Sequence, residues 1–319
     1  MFKPMKLVAF MLACSASFSV TAEEKSVAIT QIVEHPALDS VRLGVKEELI
    51  EQGFVEGENL KWQYESAQGN PTTAAQIARK FAGESPDVIV AIATPSAQTA
   101  AAAARNTAIV FSAVTDPVGA KLVKNLDKPG KNITGTTDML PVKKHLELVK
   151  RLVPGIKTVG TIYNPGEANS VTIVELVEQT APELDIKVIK AAATKSSDVL
   201  TAARSLVGKV DAIYLPTDNT VISAAEAVIK VGEQNNLPVI AADTDTVKRG
   251  AIAALGFNYY DVGRQTGAMV ALILNGKKPG DIPVQGVEKM ELYINPGAAE
   301  RMGLELPTGI LEEAKEVIK

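Results

Sequence analysis

Two apolar patterns alternate along most of the chain. Short runs rich in Val and Ile are each followed by a longer stretch whose apolar positions recur every three or four residues. The first pattern reads as buried strands and the second as amphipathic helices. Ser26 to Val33 predicts a first strand. Val41, Val45 and Leu49 mark one face of a helix from Ala37 to Gln52, closed by Gly53. Leu60 to Ser66 alternates as a second strand, with Trp62 in mid-strand as a core position. Asn70 and Pro71 open a helix running through Phe81, with proline near the first turn, where its missing N–H costs little. A strand from Asp87 to Ala93, a helix from Ser96 to Arg105 and a strand from Ala108 to Ala113 complete the first series.

A short strand, Ile133 to Thr137, leads across to a second series that begins with a helix over Val142 to Leu152. Strands follow over Thr158 to Tyr163, Ile186 to Ala191, Val210 to Leu215 and Val239 to Ala241, and Ala251 to Leu255 continues that sheet. Helices lie between them over Ala168 to Gln179, Val199 to Leu206 and Val221 to Asn235. Strand and helix in this alternation imply right-handed crossovers and parallel sheets. The tail holds a helix from Asp261 to Leu274 ended by Asn275 and Gly276, a strand from Lys289 to Ile294 and a short helix from Pro296 to Met302. Crossings near Gly135, Gly256 and Gly286 would join two lobes by a hinge: residues 25–136 with 256–286, and residues 137–255 with 287–319. The expected fold is α/β, two doubly wound parallel-sheet lobes.

The two series resemble each other in detail. Asp87 to Ala97 and Asp211 to Val221 both begin with Asp, run through an apolar strand and break into small polar residues before a helix. Ala108 to Asp116 pairs in the same way with Leu237 to Asp245, roughly 125–130 residues further on. Polar loops at strand C-termini in two facing lobes suggest a ligand cleft between them.

Composition narrows the function. With 319 residues, 46% hydrophobic and 22% charged, the chain is long enough for two folded domains. A formal net charge of −4, without a long basic run, argues against nucleic acid as a partner. Residues 1–22 read as a cleaved signal peptide: Lys3 and Lys6 precede an apolar core, and Val20, Thr21 and Ala22 offer small residues at a cleavage site. Cys14 leaves membrane anchoring as a lipoprotein open as the lesser alternative to release into the periplasm. It is the single cysteine, so the mature protein is expected to hold no disulfide, thiolate nucleophile or cysteine metal site.

Catalytic motifs are missing from the sequence: no G-x-S-x-G elbow, H-E-x-x-H, phosphate-binding loop or dinucleotide fingerprint occurs. Of the two histidines, His145 has Lys143, Lys144 and Glu147 as neighbours and reads as a solvated surface residue. The expectation is a binding protein, without cofactor or metal. Thr94 and Ser96 stand at a helix start, where free N–H groups and hydroxyls suit a carboxylate, or simply cap the helix. Asp218 and Asn219 are their counterparts, and Asp218 suits an ammonium or caps its own helix. Thr115, Asp116 and Asp243 follow the next strand of each lobe. Glu34 and His35, and in the second lobe Tyr163, Asn164 and Glu167, occupy the loops after each first strand. Ser66, Gln68 and Thr194 follow each second strand. His35 could cap or line, and Tyr163 could stack on a ligand or face the core.

These loops resemble a known family. Gln31 to Asp39, Thr94 to Gln98, Phe111 to Val118, Tyr163 to Ser170 and Pro216 to Thr220 are similar, in order, to the ABC-transporter substrate-binding proteins of the tryptophan/tyrosine group. The resemblance implies a type I periplasmic-binding fold, a monomer that closes on an amino acid, often aromatic, and delivery to an inner-membrane permease. It implies Thr94 and Ser96 at the ligand carboxylate, Asp218 at its amine and Asp116 as a second acidic contact. Two alternatives use the same cleft: a periplasmic sensor module, and a sugar ligand, which 4% aromatic content disfavours. A DNA-binding regulator core would need a helix-turn-helix where the export signal stands.

Overall fold

The structure, a computed structural model, describes residues 24–287 and 289–318. The signal segment read over residues 1–22, with Cys14, lies outside the described residues. The first lobe runs β1 (Lys25–Gln31), α1 (Pro36–Glu51), β2 (Leu60–Ser66), α2 (Pro71–Glu84), β3 (Val88–Ile92), α3 (Thr94–Ala103), β4 (Ala108–Ser112) and β5 (Ile133–Thr137). The second runs α4 (Val142–Leu152), β6 (Thr158–Tyr163), α5 (Ala168–Thr180), β7 (Lys187–Ala192), α6 (Val199–Leu206), β8 (Ala212–Leu215), α7 (Asn219–Ile222), α8 (Ala225–Asn235), β9 (Val239–Ala241), α9 (Thr244–Lys248) and β10 (Ala253–Gly256). The chain then returns to the first lobe for α10 (Tyr259–Leu274) and β11 (Gln285–Gly286). It ends in the second with β12 (Glu291–Ile294), α11 (Pro296–Arg301), α12 (Ile310–Glu313) and β13 (Glu316–Val317).

The sheet orders are β11-β5-β4-β3-β1-β2 and β13-β12-β10-β9-β8-β6-β7. In both, the second strand of the series lies outside the first and the third lies inside it, the order of a doubly wound sheet. Loops diverge where that order reverses, beside β1 and β3 and beside β6 and β8. All pairings are parallel except β10 with β12. Every residue of β3 and β8 is buried, as a parallel sheet covered on both faces requires.

The duplication is physical as well as textual. Asp87 accepts the Ser26 N–H at 2.7 Å, tying the start of β3 to that of β1. Asp211 accepts the Lys157 and Thr158 N–H groups at 2.8 Å, tying β8 to β6 in the same way. Each aspartate pins a strand start, so the strand C-termini keep a fixed register at the opposite edge.

Several expectations need correction. The helix expected over Val221 to Asn235 is two helices, because Ala224 leaves helical geometry with φ −124° and ψ 29°. Helix α9, too short to show a period, was not foreseen. His145 is not a solvated surface residue: it is 2% exposed and lies 2.7 Å, through Nδ1, from the Tyr214 hydroxyl. It shares the apolar stripe of α4 with Val142, Leu146, Val149 and Leu152, while its lysine neighbours face away. Burial lowers its pKa to about 4. Trp62 is only half-buried, packed against the core with Lys46 Nζ 5.7 Å from its ring.

Candidate functional site

The sheet C-termini of the two lobes face each other, with α3 against α5 and α1 against α9. Between them lies a narrow inner cavity holding about 340 Å³ of empty space, with room for the centre of a water molecule in only about 20 Å³ of it. His35, Ala113 and Thr115 line it from the first lobe, and Asn169, Asp218 and Asp243 from the second. Asp138 and Tyr259 complete the wall from two of the segments that cross between the sheets. A wider outer cleft with about 1620 Å³ of empty space adjoins it, lined by Gln68, Pro95, Gln98, Asn164, Glu167 and Thr194 among others.

Backbone strain collects at this edge. Ala93 and Ala113, immediately after β3 and β4, have φ of +72° and +52°, a region that L side chains rarely adopt. Ala93 in this conformation is the N-cap of α3, so Thr94 is the first helical residue rather than the cap. Thr94 and Ser96 are buried, and neither hydroxyl has a protein partner. A buried hydroxyl left unpaired costs roughly 1–3 kcal/mol.

The second lobe presents the opposite character. Asp218, fully buried, caps α7 by accepting the Val221 N–H at 2.8 Å on Oδ1. Its Oδ2 accepts the Asn164 N–H at 2.6 Å and the Ser170 hydroxyl. The helix-cap and ligand readings are therefore compatible, because Oδ1 keeps a free lone pair. Burial, and then the charge of Glu167, push the Asp218 carboxyl up to about 7. Asp243 caps α9 through Thr246, and burial raises its pKa as well. Asn169 donates to Thr217 O at 3.1 Å while its Oδ1 has no partner, and Thr217 Oγ1 is likewise unpaired.

His35 is 8% exposed and its Nδ1 has no partner. Burial, then the positive charge of Arg249, lower its pKa to about 3, so the ring is neutral at physiological pH. Asp138 receives the Tyr259 hydroxyl at 2.8 Å and the Thr115 hydroxyl at 3.1 Å. Neither Asp138 nor Tyr259 was singled out from sequence, because both sit on crossing segments rather than at the repeated strand ends. The position of Asp138 directly after the crossing near Gly135 was the available signal.

The remaining expected residues fall elsewhere. Asp116, read as a second acidic contact, turns away from the cavity: its Oδ1 accepts the Val118 and Gly119 N–H groups of its own turn. Glu34 is exposed and accepts the Tyr64 hydroxyl at 3.2 Å. Ser66 accepts the Gln68 N–H, and Tyr163 lies beside Lys190 rather than in the cleft wall. Thr194 binds Asp198 at 3.1 Å at the rim of the outer cleft. Glu167 is buried behind Asn219 and Thr220, both of which donate to it. Among the described residues no cluster of three or more His, Cys, Asp and Glu could hold a metal ion.

The chain is similar to known proteins over most of its length. The chain is 42% identical to a tyrosine-binding protein of Clostridioides difficile, over 86% of this chain and 79% of that protein. A Streptococcus pneumoniae ABC domain solved in complex with L-Trp matches with a TM-score of 0.89 at 33% identity, covering 93% of this chain and all of the other. The ligand-free, open structure of a Clostridium difficile substrate binding protein with adhesive properties matches at 0.69 and 42% identity, covering 92% and 99%. The fold is that of the type I periplasmic binding proteins. Residues 26–318 match the ABC transporter substrate binding protein family, and the chain belongs to that family, whose members bind solutes and are not enzymes.

Proposed function

We propose that this protein captures an aromatic amino acid, tyrosine or tryptophan, between its lobes and hands it to a membrane permease. The supporting observation is a complementary pair of unfilled polar groups at the strand ends of the two lobes. On one side the Thr94 and Ser96 hydroxyls and the N-terminus of α3 suit the ligand carboxylate. On the other, Asp218 Oδ1 and the unpaired Asn169 Oδ1 suit its ammonium. A zwitterion satisfies both, whereas a sugar satisfies neither charge. The relatives noted above include a tyrosine-binding protein and an L-Trp complex, which favours an aromatic side chain. The lobes, residues 25–136 with 256–286 and 137–255 with 287–319, act as two bodies on a hinge. The protein works in the periplasm as a monomer after loss of residues 1–22.

A thermal-shift screen of the protein lacking residues 1–22 against the common amino acids tests this. At 100 times its Kd a ligand adds about 2.7 kcal/mol of stability. Clear upward shifts are expected with L-tyrosine or L-tryptophan. No shift with any amino acid overturns the reading.

A further inference from the structure

Glu167 does not line the inner cavity, yet it organises the wall that does. Oε2 accepts the Asn219 side-chain amide at 2.6 Å and its N–H at 3.3 Å. Oε1 accepts the Thr220 hydroxyl at 2.6 Å and its N–H at 3.1 Å. Asn164 bridges the two acids, giving its backbone N–H to Asp218 and its side-chain amide to Glu167 at 3.4 Å. Two carboxylates are thus held in one buried network. Among the described residues no Lys or Arg lines the inner cavity. Arg249 is taken up by Glu226 and the Ile222 carbonyl. Two buried anions without a cation favour a proton on one of them, and the acid facing the cavity is Asp218.

We propose that Glu167 is a positioning residue that makes Asp218 hold a proton until a ligand ammonium arrives, so that ligand capture releases that proton to solvent. This rests on the amino-acid reading above. The ligand stays zwitterionic throughout. Its ammonium replaces the proton as the counter-charge of Asp218, and one proton leaves per ligand bound. Four other titratable groups line the cavity wall. His35 and the Tyr259 phenol are neutral across the physiological range. Burial raises the Asp138 and Asp243 carboxyls as well, but Asp138 is held by Tyr259 and Thr115, and Asp243 by Thr246, with no second acid in either network.

The sign follows from linkage. A group whose proton is lost on binding makes affinity rise with pH up to its free value and level off above it. With Asp218 titrating at about 7, Kd is expected to be about tenfold weaker at pH 6 than at pH 8. Titration calorimetry with L-tyrosine and L-tryptophan, in two buffers of different ionisation enthalpy at about pH 7, should show a substantial fraction of one proton released. Glu167→Gln should move the pH midpoint of binding to lower pH, shrinking the tenfold ratio to about threefold or less. Asp218→Asn should remove most of the pH dependence. Wild-type binding with no proton release overturns the inference and leaves the amino-acid reading standing. An unshifted midpoint in Glu167→Gln removes the role of Glu167, and a pH profile retained in Asp218→Asn removes that of Asp218. Absence of any amino-acid binding overturns both the inference and the reading on which it rests.

Discussion

Thr94 and Ser96 each keep a hydroxyl away from water without a protein partner, which folding alone has no reason to favour. Removing one should therefore separate stability from function. Ser96→Ala is expected to stabilise the unliganded protein by about 1 kcal/mol, since an unpaired buried group is lost. Affinity for the amino acid should fall by about 1 kcal/mol or more, roughly fivefold. Chemical denaturation and calorimetry read the two effects, and unchanged affinity would remove Ser96 from the site. At this scale the sequence showed which residues stand at strand ends but not what they touch. Asp218 was legible as an acid at a helix start. The occupation of its Oδ2 by Asn164 and Ser170 was not, because those donors lie 54 and 48 residues away. Asp116 and Asp243 both follow the corresponding strand of their lobes. A proline and a glycine after Asp116 let the chain turn back on its carboxylate, whereas Asp243 enters a helix. The charged neighbours of His145 suggest a surface residue, whereas its spacing from Leu146, Val149 and Leu152 places it on the buried stripe.

The element that fixes the first lobe against the hinge is α10, which packs on α1 through glycines. A methyl group at Gly263 would sit 2.1 Å from the Val41 carbonyl oxygen, and one at Gly44 would sit 2.2 Å from that of Tyr260. The close approach carries Arg264 to Glu48 and Glu51 at its edge. It also holds Tyr259, the first residue of α10, against Asp138 in the cavity wall. Gly263→Ala is expected to destabilise by about 2–3 kcal/mol, because backbone on both sides must move. Gly83→Ala, in α2 with nothing within 4 Å, is the control and should be neutral or stabilising by up to about 1 kcal/mol. Equal effects in a thermal melt would disprove the packing argument. The sequence displayed both helices through their apolar periods. It gave no sign that the glycines mark a crossing, since a partner helix more than 200 residues away leaves no local trace.

At the scale of the whole molecule, two relatives rank differently by identity and by shape. The open Clostridium difficile structure shares more sequence with this chain than the L-Trp complex does, 42% against 33%, yet superposes less well, 0.69 against 0.89. Sequence divergence cannot produce that order, whereas a different setting of two similar lobes can. The arrangement described here is therefore nearer to that of the L-Trp complex than to that of the open structure. Its inner cavity, with almost no room for free water, admits an amino acid only if the lobes first part. A ligand that touches both lobes binds only the closed setting and shifts the population towards it. Small-angle X-ray scattering of the protein lacking residues 1–22 should give a smaller radius of gyration with saturating L-tyrosine or L-tryptophan than without. Asp218→Ala, at a ligand concentration that saturates the wild type but not the variant, should keep the larger value. Identical radii for the free and liganded wild type would mean that the lobes are closed before the ligand arrives. Entry would then need a local opening at the outer cleft instead of a hinge motion.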